Sequence, residues 1–389
     1  MGIYLNPNNT DFQRALNSEI YVDKSMLIEY TNKEFFTEQG FICVSRPRRF
    51  GKSMAANMLT AYYSKGCDSR EMFSGLKIAK SESFEKHLNK YNVIHINMVD
   101  FLGRSKSIDD MLDYLSKRIL HELKKEYSDV DCFDWNDLIS VLAEIFVDKN
   151  VPFVFIIDEW DCIFRVHKND TESQTTYLNF IRNLLKGKSY VALAYMTGIL
   201  PIKKYGEHSA LNMFDEYSMT NADPIQEFTG FTGTEVRQLC DKYNMPFEET
   251  KKWYDGYCLN DLSIYNPKSV VAAMMRKKFD NYWTSTETYE ALKVYIEMNF
   301  DGLKDTIIKL LSGEKEIIDT TTFTNDMVTF STKDDVLTLL IHLGYLTYDF
   351  YTHEVCIPNY EISQQFASTI KVIGWSELAN ALTQSSDLL

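Results

Sequence analysis

The 389-residue sequence predicts an α/β fold, in which a parallel sheet carries helices on both faces, followed by a mostly helical region. Up to Ala222, short apolar runs alternate with stretches whose apolar residues have helical spacing. Those runs are apolar throughout, which is typical of strands buried on both faces of a sheet. Beyond Ala222, turn residues punctuate the chain and helical patterns dominate. We therefore expect two domains, residues 1–222 and residues 223–389.

Composition excludes several classes of protein. The net charge of −14 opposes overall electrostatic attraction to nucleic acid. The seven cysteines are scattered and contain no C-x-x-C pair, which argues against a disulfide framework or a zinc ribbon and favours a reducing compartment. The polar N-terminus lacks a signal peptide, and no apolar run reaches membrane-spanning length. We expect a soluble cytoplasmic protein without a membrane association.

The first predicted strand, Phe41–Val44, leads into a loop that ends in Gly51-Lys52-Ser53, and a helical pattern follows from Met54 to Tyr63. A strand, a tight loop and a helix in this order form the setting in which backbone N–H groups surround phosphate oxygens. The phosphate-loop consensus is G-x-x-x-x-G-K-[ST], and Arg46 stands where its first glycine belongs. We expect Pro47 to compensate by fixing its φ angle and holding Arg46 extended.

Each part of that consensus that is present in this sequence has a physical role. Gly51 lets the backbone approach the β-phosphate, and Lys52 places a positive charge near the β- and γ-phosphates. Ser53 offers a hydroxyl to Mg²⁺, at a helix N-terminus that itself favours anions. The alternative is a basic turn capped by Ser53, without a ligand. The predicted nucleotide-binding residues are Arg46, Pro47, Arg48, Arg49, Phe50, Gly51, Lys52, Ser53 and Met54.

A second strand is predicted at Asn92–Met98, and helices follow at 107–125 and 135–147. The third strand, Phe153–Ile157, runs directly into Asp158 and Glu159. A carboxylate at the carboxyl end of such a strand can hold Mg²⁺, usually through water, and this role is predicted for Asp158. Glu159 is placed to polarise an attacking water, whereas Asp161 is expected to be structural. The alternative is a strand end with helix-capping acids.

The fourth strand, Tyr190–Tyr195, ends at Met196-Thr197-Gly198. A polar side chain there can hydrogen-bond the γ-phosphate or the attacking water, so Thr197 is a predicted sensor; its alternative role is that of a turn residue. Ligands of open parallel sheets bind at the carboxyl ends of the strands. The loop from Arg46, the acid Asp158 and the hydroxyl of Thr197 all follow such ends, and we expect them to meet in one crevice.

The second region is predicted to contain helices at 234–243, 248–254, 269–277 and 333–342. The last of these is followed by Gly344 and by two short strand patterns around a turn near Thr352-His353. A helix, a glycine and a hairpin predict a winged-helix-like end. Such modules bind DNA in some proteins and only pack in others, and the few basic residues here favour packing.

Seven motifs, in this order, resemble the bacterial AAA-ATPase-like family. In that family the region is usually followed by a PD-(D/E)xK nuclease-like domain. The family's loop reads R-P-R-R-F-G-K-[ST], which accounts for Arg46. The motifs are Tyr21-Val22-Asp23-Lys24, Arg46-Pro47-Arg48-Arg49-Phe50-Gly51-Lys52-Ser53, Ile157-Asp158-Glu159-Trp160-Asp161, Thr197-Gly198-Ile199-Leu200, Trp253-Tyr254-Asp255-Gly256-Tyr257, Tyr265-Asn266-Pro267-Lys268-Ser269 and Gly344-Tyr345-Leu346-Thr347.

The sequence departs from the family pattern at two places. Pro201 stands where the family often has a basic residue, so a sensor arginine is not expected there. The sequence ends at Leu389, about where the nuclease-like domain would begin, and it contains no D…E-x-K set near that end. We therefore expect no nuclease activity.

The residues and the resemblance together favour an ATP-binding protein with Mg²⁺-dependent ATPase activity, in which nucleotide state is coupled to domain motion. The predicted catalytic residues are Lys52, Glu159 and Thr197, and the predicted metal-binding residues are Ser53 and Asp158. The alternatives are a nucleotide-gated interaction module with little or no hydrolysis and an inert winged helix that binds nucleic acid. Arg48, Arg49 and Arg165 are candidates for phosphate-binding or trans-acting arginines. The target, a protein or a nucleic acid, and any oligomer stay open.

Overall fold

The computed structural model describes residues 2–202, 211–283, 294–296, 300–325 and 327–372. The chain forms two compact units. The first comprises Met1–Ser45 and Lys52–Tyr217, and the second comprises Arg46–Gly51 and Ser218–Leu389. The six loop residues that precede Lys52 therefore belong to the second unit. The division into domains at residue 222 stays a prediction.

A five-stranded sheet forms the centre of the first unit, with the strand order β2-β3-β4-β1-β5. All four pairings are parallel, which confirms the predicted fold class. The strands are β1 (Phe41–Ser45), β2 (Asn92–Asn97), β3 (Phe153–Asp158), β4 (Val191–Gly198) and β5 (Asp215–Tyr217).

Every residue of β3 and β4 is buried. Successive side chains of a strand point to opposite faces, so this burial requires cover on both faces of the sheet. The helices of the first unit are α1 (Thr10–Leu16), α2 (Met26–Lys33), α3 (Lys52–Tyr63), α4 (Arg70–Ser74), α5 (Phe84–His87), α6 (Met98–Leu102), α7 (Ile108–Glu126), α8 (Leu138–Lys149), α9 (Cys162–Val166) and α10 (Thr171–Leu185). Within the described ranges, no helix has the length and the hydropathy needed to cross a lipid bilayer.

The sheet register aligns the carboxyl ends of four strands. Val44 of β1 pairs with Thr197 of β4, and Met196 of β4 pairs with Ile157 of β3. On the far side of β3, Asp158 pairs with Asn97. The end of β4 thus lies between the ends of β1 and β3, which puts polar residues of all these strands at one edge of the sheet.

The edge strand β5 was not predicted. It has only three residues, Asp215-Glu216-Tyr217, and they pair in parallel with Ile42, Cys43 and Val44 of β1. A strand this short and this polar carries no apolar run, so only its pairing with β1 defines it.

The second unit is mostly helical and has two small antiparallel sheets, ordered β6-β8-β7 and β10-β11-β9. Its strands are β6 (Phe231–Thr232), β7 (Tyr257–Leu259), β8 (Leu262–Tyr265), β9 (Glu316–Ile317), β10 (Thr347–Tyr348) and β11 (Glu354–Cys356). Its helices, numbered on from α10, are α11 (Gly233–Tyr243), α12 (Phe247–Tyr254), α13 (Pro267–Arg276), α14 (Leu303–Leu311), α15 (Lys333–Leu343) and α16 (Tyr360–Val372).

The end of α15 follows the predicted order of elements. The helix stops at Gly344, whose φ of 85° suits a residue without a Cβ atom. The strands β10 and β11 then pair antiparallel. The third strand of this small sheet, β9, precedes α15 in the chain and pairs with β11. The winged-helix-like end stays a prediction.

Candidate functional site

Lys52 is the first residue of α3, and its side chain lies inside the first unit, with 4% of the residue exposed. Burial lowers the pKa of Lys52, because the charged ammonium loses water. Glu159, Asp161 and Asp158 oppose that shift by attracting its charge. The predicted phosphate-binding lysine therefore faces the predicted acidic cluster.

Ser53 and Met54 follow Lys52 and are exposed. Ser53 and Asp158 line the same cavity, which has a volume of about 510 Å³. The structure thus brings together the two residues that the sequence predicts to hold Mg²⁺. The remaining walls of this cavity are largely polar and include Asn57, Thr60, His95, Asn97 and Asp100.

Asp158 is 2% exposed, and its carboxylate is fixed by its neighbours. The hydroxyl of Thr197 donates to Oδ1 of Asp158, and the backbone N–H of Glu159 donates to the same oxygen over 3.1 Å. The sequence assigned Thr197 to the γ-phosphate or to the attacking water. In the structure, this buried hydroxyl orients the carboxylate of Asp158.

Glu159 has a φ of 55°, in the left-handed region that non-glycine residues rarely adopt. Its carboxylate forms a salt bridge with Nη2 of Arg165, and Nε of Arg165 lies 3.1 Å from Oδ2 of Asp161. Burial opposes the charge of Arg165, but Asp161 and Glu159 outweigh it and keep the pKa of Arg165 raised. The sequence offered Arg165 as a phosphate-binding or trans-acting residue. The sequence did not predict its contact with Glu159, which lies in the turn before α9.

Asp161 is fully buried and accepts hydrogen bonds from the backbone of the residues after β4. The N–H groups of Ile199 and Leu200 donate to its Oδ2 over 3.1 and 2.9 Å. Together with Arg165, these contacts tie the start of α9 to the end of β4. This arrangement agrees with the structural role expected for Asp161.

The loop Arg46–Gly51 is defined by contacts inside the second unit. Arg46 is fully buried, and its Nε donates to Oγ1 of Thr229 over 3.0 Å. Arg49 and Gly51 have φ angles of 70° and 88°, so the loop passes twice through the left-handed region. Arg46, Pro47 and Phe50 are buried, whereas Arg48, Arg49 and Gly51 are partly exposed.

The donor set suits Mg²⁺ bound to a nucleotide. Mg²⁺ keeps several waters and needs only one or two protein oxygens beside the phosphates. Ser53 supplies an exposed hydroxyl, and Thr197 holds the carboxylate of Asp158 at the same cavity. In the part of the chain that the structure describes, no group of three His, Cys, Asp or Glu side chains could hold a metal ion. A metal held mainly by phosphates and water does not require such a group.

A family of known proteins matches this chain. The sequence model of the family described as "Predicted AAA-ATPase" matches residues 10–206, just over half of the 389-residue chain. An uncharacterised protein encoded in the vnfD 5′ region of Azotobacter chroococcum mcd 1 is 22% identical over 281 residues. The match covers 69% of this chain and 51% of that protein, so the chain spans about half the length of this relative.

Two solved structures match this chain at low similarity. The Walker-type ATPase PABY2304 of Pyrococcus abyssi is 11% identical with a TM-score of 0.43, over 88% of this chain and 94% of that one. The ORC2 protein of Aeropyrum pernix, solved as ADPNP–ADP complexes, is 10% identical with a TM-score of 0.36, over 97% and 99%. TM-scores this low support no inference about activity. The family match does establish relationship: the chain belongs to the predicted AAA-ATPase family.

Proposed function

We propose that this protein binds ATP with Mg²⁺ and hydrolyses it. One observation carries the proposal: Lys52, Ser53, Asp158, Glu159 and Thr197 belong to the first unit and lie at or after the carboxyl ends of β1, β3 and β4. Phosphoryl transfer to water depends mainly on positioning and on electrostatic stabilisation, and these residue types provide both.

Each residue has a distinct role in this proposal. Lys52 stabilises negative charge on the β- and γ-phosphates. Ser53 and Asp158 would hold Mg²⁺, and the hydroxyl of Thr197 keeps the carboxylate of Asp158 in orientation. Glu159 polarises the attacking water once its carboxylate faces the γ-phosphate. Mg²⁺, when bound, would supply positive charge that offsets the charge of the phosphates.

The salt bridge between Glu159 and Arg165 favours a second candidate function. A carboxylate oxygen that contacts a guanidinium is less accessible to an attacking water. If this pair persists with ATP bound, the protein acts as a nucleotide-gated interaction module with little or no hydrolysis. The two functions share the binding site and differ only in the chemical step.

Phosphate release measured under single-turnover and steady-state conditions separates the two functions. We expect Mg²⁺-dependent release by the wild type and a loss of about 100-fold or more in Glu159→Gln, with nucleotide binding retained, because the amide is not a base. Glu172→Gln, an exposed change of the same kind on α10, is the matched control and should keep the wild-type rate.

The outcomes are distinct. If the wild type binds ATP but releases phosphate only at background level, the gated module replaces hydrolysis as the proposed function. Equal release by the wild type and Glu159→Gln above background would remove Glu159 from the mechanism. Failure of the wild type to bind ATP in the presence of Mg²⁺ would overturn both functions.

A further inference from the structure

The phosphate loop Arg46–Gly51 is built into the second unit by contacts at both of its ends. At its start, Nε of Arg46 donates to Oγ1 of Thr229 over 3.0 Å. Near its end, the carbonyl of Phe50 accepts the backbone N–H of Gly230 over 2.8 Å. Two adjacent residues of the second unit, Thr229 and Gly230, therefore hold two loop positions that lie four residues apart.

Apolar packing fixes the same loop. The ring of Phe50 meets the ring of Tyr257 edge-on, with centroids 5.1 Å apart, and both residues are fully buried. The hydroxyl of Tyr257 donates to the carbonyl of Gly344 over 2.8 Å. A Cβ atom added at Gly344 would come within 2.8 Å of Cβ of Pro47, so the loop also lies directly against the end of α15.

Arg49 adopts an unfavourable backbone conformation in this loop. Its φ of 70° lies in the left-handed region, where a residue with a Cβ atom is strained. Such a conformation persists when surrounding contacts over-determine it. One of these contacts is a hydrogen bond of its side chain: Nη1 of Arg49 donates to the carbonyl of Tyr282 over 3.2 Å.

The turn that accepts Arg49 is itself held by one buried carboxylate. Oε1 of Glu361, near the start of α16, accepts the backbone N–H groups of Tyr282 and Trp283 over 2.6 and 2.9 Å. The hydroxyl of Ser269 donates to the same oxygen over 3.1 Å. Glu361 is only 1% exposed, so water does not compete for this oxygen. Three donors thus converge on Oε1 of Glu361. Two of them belong to the turn whose carbonyl accepts the hydrogen bond from Arg49.

We propose that Glu361 is a positioning residue for the phosphate loop: by fixing the Tyr282–Trp283 turn it holds Arg49, and thereby keeps the loop in the conformation that receives nucleotide phosphates. This inference rests on the proposed nucleotide-binding function. A loop that is already ordered loses less conformational entropy when its N–H groups close around phosphates. Loosening the turn should therefore weaken nucleotide binding, although Glu361 itself touches no nucleotide.

The test compares two variants of Glu361 in a titration with a fluorescent ADP analogue at about pH 8. Glu361→Ala removes the acceptor and should raise Kd about 10-fold. Glu361→Gln keeps an oxygen in the same place and should stay within about twofold of the wild type. If Glu361→Gln binds the analogue as the wild type does, the weaker binding of Glu361→Ala results from the missing acceptor and not from a general loss of stability.

The matched control is Asp335→Ala in the same unit. Asp335 is also 1% exposed and also accepts two backbone N–H groups, those of Ser331 and Thr332, together with the hydroxyl of Thr322. Its removal should destabilise the protein but leave Kd within about twofold of the wild type. An equal rise of Kd in Glu361→Ala and Asp335→Ala would overturn the proposal.

A double-mutant cycle tests the route through Arg49. If Glu361 acts through Arg49, Glu361→Ala should change Kd by less than about twofold in an Arg49→Ala background. Fully additive effects would overturn the route. Kd is measured for both substitutions in the full chain. Arg49 is partly exposed, so Arg49→Ala does not remove a buried group.

A measurement without nucleotide separates this inference from the proposed function. The N–H of Gly230 donates to the loop carbonyl of Phe50, so its hydrogen exchange reports on the anchored loop. Exchange at Gly230 should accelerate in Glu361→Ala and not in Glu361→Gln or Asp335→Ala. If the wild type binds no nucleotide, the proposed function fails. If the wild type binds nucleotide but Glu361→Ala leaves both Kd and exchange unchanged, only the positioning role fails.

Discussion

Asp158 illustrates how one hydroxyl can orient the carboxylate of a proposed metal site. Thr197 donates to Oδ1 of Asp158, and the N–H of Glu159 shares that oxygen, which leaves Oδ2 as the oxygen that neither of them occupies. Residues that orient a metal-binding carboxylate are often nearly as important for metal affinity as the carboxylate itself. Thr197 therefore acts on the metal through Asp158 in the proposed site.

From this geometry we predict that Thr197→Val raises the Mg²⁺ concentration for half-maximal phosphate release about 10-fold, because the carboxylate of Asp158 is no longer fixed. The measurement is a Mg²⁺ titration of phosphate release at saturating ATP. Thr197→Ser keeps the hydroxyl and should stay close to the wild type. A Mg²⁺ dependence that is unchanged in Thr197→Val would contradict this role for Thr197.

Glu361 makes a second prediction at the scale of a residue. Burial raises the pKa of Glu361 to about 7, although its bonds with Ser269, Tyr282 and Trp283 and the charge of Arg49 pull it down. The folded protein thus keeps a proton that the unfolded chain releases near pH 4.5, the ordinary value. Its contribution to stability is fully present below that pH and is lost as the pH rises through about 7.

Glu361→Gln has no proton to lose at this position. Relative to the variant, the wild type should therefore lose about 3 kcal/mol of unfolding free energy between about pH 4.5 and pH 8. Urea denaturation of both proteins across this range measures the difference. A difference that is flat with pH, or one that changes in favour of the wild type as the pH rises, would exclude the inferred shift.

At the scale of elements, Asp161 connects the turn after β3 to the residues that follow β4. The N–H groups of Ile199 and Leu200 and the guanidinium of Arg165 all point at its carboxylate. Neither backbone group lies in a strand ladder, so the carboxylate takes the place of a regular hydrogen-bond partner. The position of Glu159, two residues earlier, depends on the same turn.

We predict that Asp161→Ala destabilises the protein by about 3 kcal/mol, because it leaves the buried N–H groups and Nε of Arg165 without their acceptor. Thermal or urea unfolding measures this loss. Asp109→Ala, in the exposed first turn of α7, is the comparison and should cost less than about 1 kcal/mol. A loss in Asp161→Ala no larger than in Asp109→Ala would show that Asp161 does not hold the turn.

Elements with a strong local signal were predictable from the sequence. The strands β1, β2, β3 and β4 are apolar for most of their length, and their burial inside a parallel sheet explains why. The end of β4 extends three residues beyond the predicted Tyr195, because Met196, Thr197 and Gly198 continue the pairing with β1. The sequence of β5 carries no such signal, and only its pairing with β1 defines it as a strand.

The site was predictable only where its residues are close in the chain. Gly51-Lys52-Ser53 and Asp158-Glu159 stand in short motifs whose chemistry is specific. The partners of the loop were missed, since Arg46 reaches Thr229 and Arg49 reaches Tyr282, 183 and 233 positions later. Such pairings result from tertiary packing. The motif around Tyr257 was noted in the sequence, but its ring contact with Phe50 had no periodic signature.

At the scale of the whole molecule, charge sets the conditions for binding. The protein has a net charge of −14, and Lys52 shares its surroundings with Asp158, Glu159 and Asp161. A nucleotide triphosphate adds several negative charges to this acidic environment. Like charges in a buried site repel strongly unless a cation lies between them. Mg²⁺ should therefore be required for tight binding as well as for hydrolysis.

We predict that Mg²⁺ and ATP together, at about 100 times Kd, add about 2.7 kcal/mol of stability and raise Tm by about 5–10 °C. ATP with a chelator should raise it far less, because the carboxylates then face unscreened phosphates. Differential scanning calorimetry of the full chain measures both shifts. Lys52→Ala should lose most of the Mg²⁺–ATP shift, whereas Lys117→Ala, which removes an equal charge from an exposed site on α7, should keep it. Equal shifts in these two variants would place the nucleotide elsewhere, and equal shifts with and without Mg²⁺ would contradict the electrostatic argument.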